Sequence, residues 1–156
     1  MLVGVMADSH DNVPMIRRAI ELFAKEGAEV VLHAGDFVAP FSAKEVVKFP
    51  GNVIAVFGNN DGETEGLRKV VGDIEEPPRR LELGGLKWLL AHDRDAVAAE
   101  ELKGIDVLVF AHSHEPMVEG GGMLAVNPGE CGGWLTGEST VALFDTEKRE
   151  AKIRKL

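Results

Sequence analysis

Apolar and polar positions follow two rhythms along this chain. Five short runs are apolar almost without interruption: Leu2–Ala7, Val30–Leu32, Val53–Phe57, Trp88–Ala91 and Val107–Ala111. Such runs predict β-strands buried on both faces. Between the first two, Val13, Ile16, Ile20 and Phe23 recur at helical spacing. Asp11 or Asn12 can cap that helix, Pro14 suits its first turn, and Gly27 ends it. Pro40 or Ser42 opens a shorter helix running to about Lys48, and Glu63–Val71 reads as a third. The first half is therefore a βαβαβ unit, which implies parallel strands. Pro77-Pro78 marks a break. Beyond it three hairpins are expected: Arg80–Leu83 with Lys87–Ala91, Met117–Glu119 with Met123–Val126, and Val141–Asp145 with Ala151–Lys155. A further helix is expected over Ala96–Lys103. The predicted fold class is α/β, with two packed, mostly β layers flanked by helices.

Composition narrows the setting. At 156 residues the chain fits one domain with a substantial core. No apolar run approaches the roughly 18 residues of a membrane helix, so no membrane partner is expected. The apolar N-terminal stretch has no basic region before it and runs straight into Asp8, which argues against a signal peptide. The single cysteine, Cys131, cannot form an internal disulfide and fits a reducing, cytoplasmic location. Nothing in the sequence pairs it with a base, so it reads as an inert thiol. The net charge of −9 and the lack of a basic stripe argue against strong nucleic-acid affinity. Lys148, Arg149, Lys152, Arg154 and Lys155 are interrupted by Glu147 and Glu150 and read as a solvated terminal strand.

Chemistry gathers where the five apolar runs end. They are followed by Asp8-Ser9-His10, Gly35-Asp36, Gly58-Asn59-Asn60-Asp61, His92, and His112-Ser113-His114. Ligands of open α/β sheets bind beyond the carboxyl ends of strands. Five strands can thus deliver seven metal-ligating side chains to one rim: Asp8, His10, Asp36, Asn59, His92, His112 and His114. Asp8 and His10 point the same way if the chain there stays extended. Two histidines flanking a serine directly after Val-Leu-Val-Phe-Ala are hard to explain as core packing. His33, within a buried strand, reads as a structural or supporting residue. Trp88 reads as core, while Trp134 in a Gly-rich loop suits a pocket wall or an oligomer contact.

In this order the blocks resemble the calcineurin-like metallophosphoesterase superfamily, whose pattern is D-x-H, G-D, G-N-H-D/E, a His after a strand, and G-H-x-H. The resemblance is greatest to its small single-domain archaeal and bacterial phosphodiesterases, and the retromer scaffold subunit shares their fold. It covers nearly the whole chain and includes Asn127-Pro128-Gly129. It implies one metallophosphoesterase domain over residues 1–156, built as an αββα sandwich. It also implies two divalent transition-metal ions. One would be held by Asp8, His10, Asp36 and His114, the other by Asp36, Asn59, His92 and His112, with Asp36 and a water or hydroxide bridging. This oxygen and nitrogen set suits Mn, Ni, Co, Fe or Zn rather than Mg or Ca, with Mn or Ni favoured. The same seven residues would then be catalytic, supporting in-line attack of hydroxide on a small phosphodiester.

The chain departs from that pattern in three places. Asn60 stands where the family has a His able to protonate the leaving oxygen. His92-Asp93-Arg94 replaces the H-G-H of the small branch, keeping only its first His. Ala111 replaces a Gly. Without a general acid at position 60, substrates whose leaving group needs little protonation are expected to react best. The alternative is a protein-binding scaffold that retains the fold with weak or absent catalysis. Trp134 and the hairpin edges leave room for a homodimer.

Overall fold

The apolar runs become strands within one or two residues of their expected ends. In a computed structural model describing residues 1–156, the first half runs β1 (Leu2–Met6), α1 (Val13–Glu26), β2 (Val30–His33), α2 (Pro40–Val46), β3 (Asn52–Val56) and α3 (Thr64–Val71). A two-residue strand, β4 (Ile74–Glu75), follows. The second half is β5 (Arg79–Leu83), β6 (Leu86–Leu90), β7 (Val107–Val109), β8 (Met117–Glu119), β9 (Leu124–Asn127), β10 (Thr140–Asp145) and β11 (Glu150–Lys155). No helix is long and apolar enough to cross a membrane.

These strands form two sheets, in the orders β11-β10-β1-β2-β3-β4 and β5-β6-β7-β9-β8. β1, β2, β3 and β4 are parallel, as the βαβαβ pattern requires. The three expected hairpins all form as antiparallel pairs. The second sheet is nonetheless mixed, because β7 inserts parallel between β6 and β9. Alternate residues of the two sheets meet in one buried layer holding Val3, Val5, Leu32, Leu90, Val109 and Phe144. Trp88 is fully buried there, its ring edge-on to Phe144 with centroids 4.6 Å apart. On the other face of the first sheet, Ile16, Ala19, Ile20 and Phe23 of α1 pack against Met6, Val31 and Ala55. Asn12 caps α1 by accepting from the Met15 N–H at 3.4 Å, and Gly27 closes it at φ 79°.

The helix expected over Ala96–Lys103 does not form. That segment is a series of turns whose bonds run from each N–H three residues back: Val97 to Arg94, Glu101 to Ala98 and Lys103 to Glu100. Its apolar anchors, Val97 and Leu102, are five residues apart, so no helical face can bury both. They pack as separate turns onto Leu89, Ile105, Leu108 and Phe110, covering the outer face of the second sheet.

Candidate metal centre

All five blocks arrive at one rim, three from the first sheet after β1, β2 and β3 and two from the second after β6 and β7. The backbone leaves each strand sharply. Asp8, His10, Asp36, His112 and His114 all adopt left-handed φ, at 48°, 40°, 62°, 69° and 62°. This corrects the expectation that Asp8 and His10 share a side of extended chain. Their side chains converge because the chain coils. Such angles cost a non-glycine residue on the order of 1–3 kcal/mol each, and they cluster at functional sites. Backbone bonds compensate: Asp8 N–H donates to Gly35 O at 3.0 Å, Ser9 and His10 N–H to Asp36 O at 3.0 and 3.1 Å, and Ala111 N–H to His92 O at 2.8 Å. Glycine is required where loops touch. A Cβ on Gly35 would lie 2.8 Å from His92 Nδ1, and one on Gly58 would fall on the Asp36 carboxylate.

The seven predicted side chains meet in two groups joined by Asp36. In the first, Asp8 Oδ1 lies 3.8 Å from His10 Nε2 and 3.6 Å from His114 Nε2, and His10 Nε2 is 3.5 Å from Asp36 Oδ2. In the second, His92 Nε2 is 3.6 Å from the same Asp36 Oδ2. Asn59 Oδ1 is 2.8 Å from His92 Nε2 and 3.0 Å from His112 Nδ1. Asp8 and Asp36 are buried; His10 and His114 are partly covered.

These atoms fit a cation. Asp8 Oδ1 and His10 Nε2 are buried without a hydrogen-bond partner. His92 Nδ1 must carry its proton, since it donates to the Ala34 carbonyl at 2.8 Å. In the neutral ring Nε2 then presents a lone pair towards Asn59 Oδ1, also an acceptor, and a positive ion beside them satisfies both. Burial pushes the Asp8 carboxyl up to about 8, helped by Asp36, Glu130 and Asp61 and opposed by the His112 N–H. Burial also lowers the pKa of His10. Carboxylates and imidazoles strained in this way are relieved by a shared dication.

Around the two groups stand residues whose roles the sequence did not reveal. Asp61 is buried and braces two loops: it accepts from Asp36 N–H at 3.0 Å, Gly58 N–H at 2.8 Å and Val38 N–H at 2.8 Å. Asn60, read as an absent acid, donates through its side chain to Asp36 Oδ2 at 2.7 Å and through its N–H to Oδ1 at 2.8 Å. Glu130 is fully buried with Oε1 3.3 Å from His114 Nδ1. The only sequence signal for it was its place after Asn127-Pro128-Gly129. His33 is structural, as expected. It is buried on Phe37, accepts from Gly35 N–H at 3.2 Å, and contacts Ser9 Oγ at 3.0 Å. Cys131 is buried, and burial pushes its thiol up to about 12. Trp134 is 65% exposed, and its indole N–H donates to His10 O at 3.0 Å beside the rim. The five basic residues of the C-terminal hairpin each have an acidic partner. That arrangement matches a solvated strand.

Comparison with known proteins places the chain in a family. The calcineurin-like phosphoesterase superfamily domain matches residues 1–149. A phosphodiesterase of Methanocaldococcus jannaschii is 41% identical over 159 aligned residues, covering 96% of each chain. The solved structure of a novel archaeal phosphodiesterase superposes with a TM-score of 0.92 at 38% identity, covering 100% of both chains. Vps29 of Entamoeba histolytica, complexed with zinc, superposes with a TM-score of 0.70 at 19% identity, covering 100% of this chain and 98% of that one, and shows the fold alone. The fold, the five strand-end blocks in order and the extent of these matches lead to one conclusion: the chain belongs to the calcineurin-like phosphoesterase superfamily.

Proposed function

We propose that this protein is a metal-dependent phosphodiesterase, a single domain over residues 1–156 that holds two divalent transition-metal ions and hydrolyses small phosphodiesters. The observation that carries this reading is the sharing of Asp36 Oδ2 between His10 Nε2 at 3.5 Å and His92 Nε2 at 3.6 Å. Asp8, His10 and His114 would complete one ligand group, and Asn59, His92 and His112 the other. Mn or Ni suits this mixed set, with Co, Fe and Zn also compatible. Bound dications would neutralise charge on the phosphate and acidify a nearby water.

The chain's own residues set the limits of the reaction. No Lys or Arg pairs with any of the seven side chains. Arg94, the nearest in sequence, pairs with Glu119 at 3.2 Å and lies over the Phe110 ring. The protein side chains therefore offer no cation of their own to the phosphate. Asn60 donates hydrogen bonds to Asp36 but has no proton to release to a leaving oxygen. Leaving groups that depart as stable anions are favoured for that reason. The scaffold alternative is weaker, because all seven ligand-type side chains are present and converge.

The test is a hydrolysis screen of the Mn- or Ni-reconstituted protein on matched aryl and alkyl diesters and an aryl monoester. Aryl diester turnover well above alkyl diester turnover is expected, and both are expected to vanish in His114→Ala and Asp36→Asn variants that remain folded. Activity retained in both variants removes this mechanism.

A further inference from the structure

Asn59 and His92 do more than face the metal groups. They also form one wall of a pocket of about 310 Å³. Phe57, the Pro77-Pro78 pair, and Ala96 and Val97 of the turn segment also line it. The failed helix thus has a structural result: its turns place Val97 over the second sheet and Ala96 at the pocket edge. Ligand pockets run from roughly 300 to 1,000 Å³, so this one lies at the small end of that range and accommodates a ring-sized group.

Charge restricts what enters. Two carboxylates, Glu76 and Asp93, line the pocket, and no Lys or Arg does. Arg68 pairs with Glu76 at 3.0 Å and lies 4.6 Å over the Phe57 ring. Asp93 has no cationic partner; its Oδ1 accepts only the Asp95 N–H at 2.9 Å. An anion seated there would meet no Lys or Arg in the lining and would face Asp93.

We infer that this pocket is the subsite for an esterifying group of the substrate: a ring-sized apolar substituent carrying no negative charge, on a diester whose phosphate lies against Asn59 and His92. This rests on the phosphodiesterase reading, deepens it to a substrate class, and is tested separately from it.

The test uses the metal-free, full-length protein. Its amide resonances are followed by NMR while benzyl alcohol, benzyltrimethylammonium or benzoate is added at equal concentration. Shifts at Ala96 and Val97 are expected with the first two probes and not with benzoate. Ala96→Trp, at an exposed turn position, should fill the pocket and abolish them, and Asp93→Asn should admit benzoate. In the Mn-loaded enzyme Ala96→Trp should raise KM for benzyl methyl phosphate at least tenfold, with a smaller effect on bis-methyl phosphate. No shift at Ala96 and Val97 with any probe, or equal shifts with benzoate, overturns the subsite even if the enzyme hydrolyses diesters. Probe binding in a protein that hydrolyses no diester supports the pocket's selectivity and overturns the enzymatic reading instead.

Discussion

Replacing Glu130 by Gln separates the support of the metal centre from its ligands. The Glu130 carboxylate accepts from Trp134 N–H at 2.9 Å, Leu135 N–H at 3.1 Å, and Thr136 N–H and Oγ1 at 3.0 and 2.9 Å, while Oε1 lies 3.3 Å from His114 Nδ1. Burial alone would raise its pKa, but the Thr136 and Leu135 hydrogen bonds outweigh burial and hold it below the ordinary value. It therefore stays ionised at neutral pH. Gln preserves the shape but turns one acceptor into an NH2 group facing donors. Each mispaired buried group costs about 1–3 kcal/mol, so the substitution should lower stability by roughly 2–5 kcal/mol. The Glu130–His114 contact lies outside hydrogen-bond geometry and acts through charge; if His114 holds a metal as proposed, losing that supporting carboxylate should cost about 10- to 100-fold in metal affinity, or about 1.4–2.7 kcal/mol. Thr136→Val is the control. It removes the hydroxyl's bond to Glu130 at 2.9 Å and its two contacts with the Glu138 backbone, and touches nothing on His114, so it should cost about 1–3 kcal/mol of stability without altering affinity. Calorimetric titration with Mn reads the affinity, and thermal unfolding reads the stability. A folded Glu130→Gln variant that is destabilised yet binds Mn like the parent would refute the link to His114 and leave Glu130 as a loop anchor alone.

Three further predictions follow from the same geometry. Asp8 is raised from 3.8 to about 8, so the metal-free folded chain keeps a proton that the unfolded chain releases. The sign is that metal-free stability falls as pH rises from about 4 towards 8 and loses nothing more above that through this group. Mn binding near neutral pH should accordingly release about one proton and weaken about tenfold per unit below pH 8; titration in buffers of different ionisation enthalpy checks it, and no proton release contradicts it. Asn60→His should raise alkyl diester turnover relative to aryl by about 100-fold or more, the scale of general-acid assistance; an unchanged alkyl-to-aryl ratio in paired kinetics counts against Asn60 as the missing acid position. Gly58→Ala places a methyl on the Asp36 carboxylate, so thermal melts and Mn titration should show lower stability and weakened binding of both ions; parental binding would contradict the close approach.

Much of this fold was written in local pattern. Continuous apolar runs such as Leu2–Ala7 are buried on both faces, so their extent and the polar blocks at their ends were readable without a template. Two of the hairpins followed from glycine turns, and the third from a turn near Thr146. What stayed hidden was non-local or conformational. The insertion of β7 between β6 and β9 depends on partners far apart in sequence. The left-handed φ angles of Asp8 and His10 are fixed by contacts with the Gly35-Asp36 loop; Asp and His adopt such angles more readily than most residues, but that preference alone does not locate them. Ala96–Lys103 has helical composition but no face that spans Val97 and Leu102, and tertiary packing decided against it. At the site the seven ligand-type residues were legible as a set because the resemblance ordered them. Glu130, Asp61 and the Asn60 contact to Asp36 were not, because their roles exist only through hydrogen bonds to distant loops.

The central claim is that two metal ions share Asp36. It is tested most directly by reconstituting the metal-free protein with Mn, removing excess ion, and measuring metal per chain by elemental analysis. Two ions per chain are expected in the parent and no more than one after Asp36→Ala. One ion or none in the parent, or two ions retained without the Asp36 carboxylate, would contradict it.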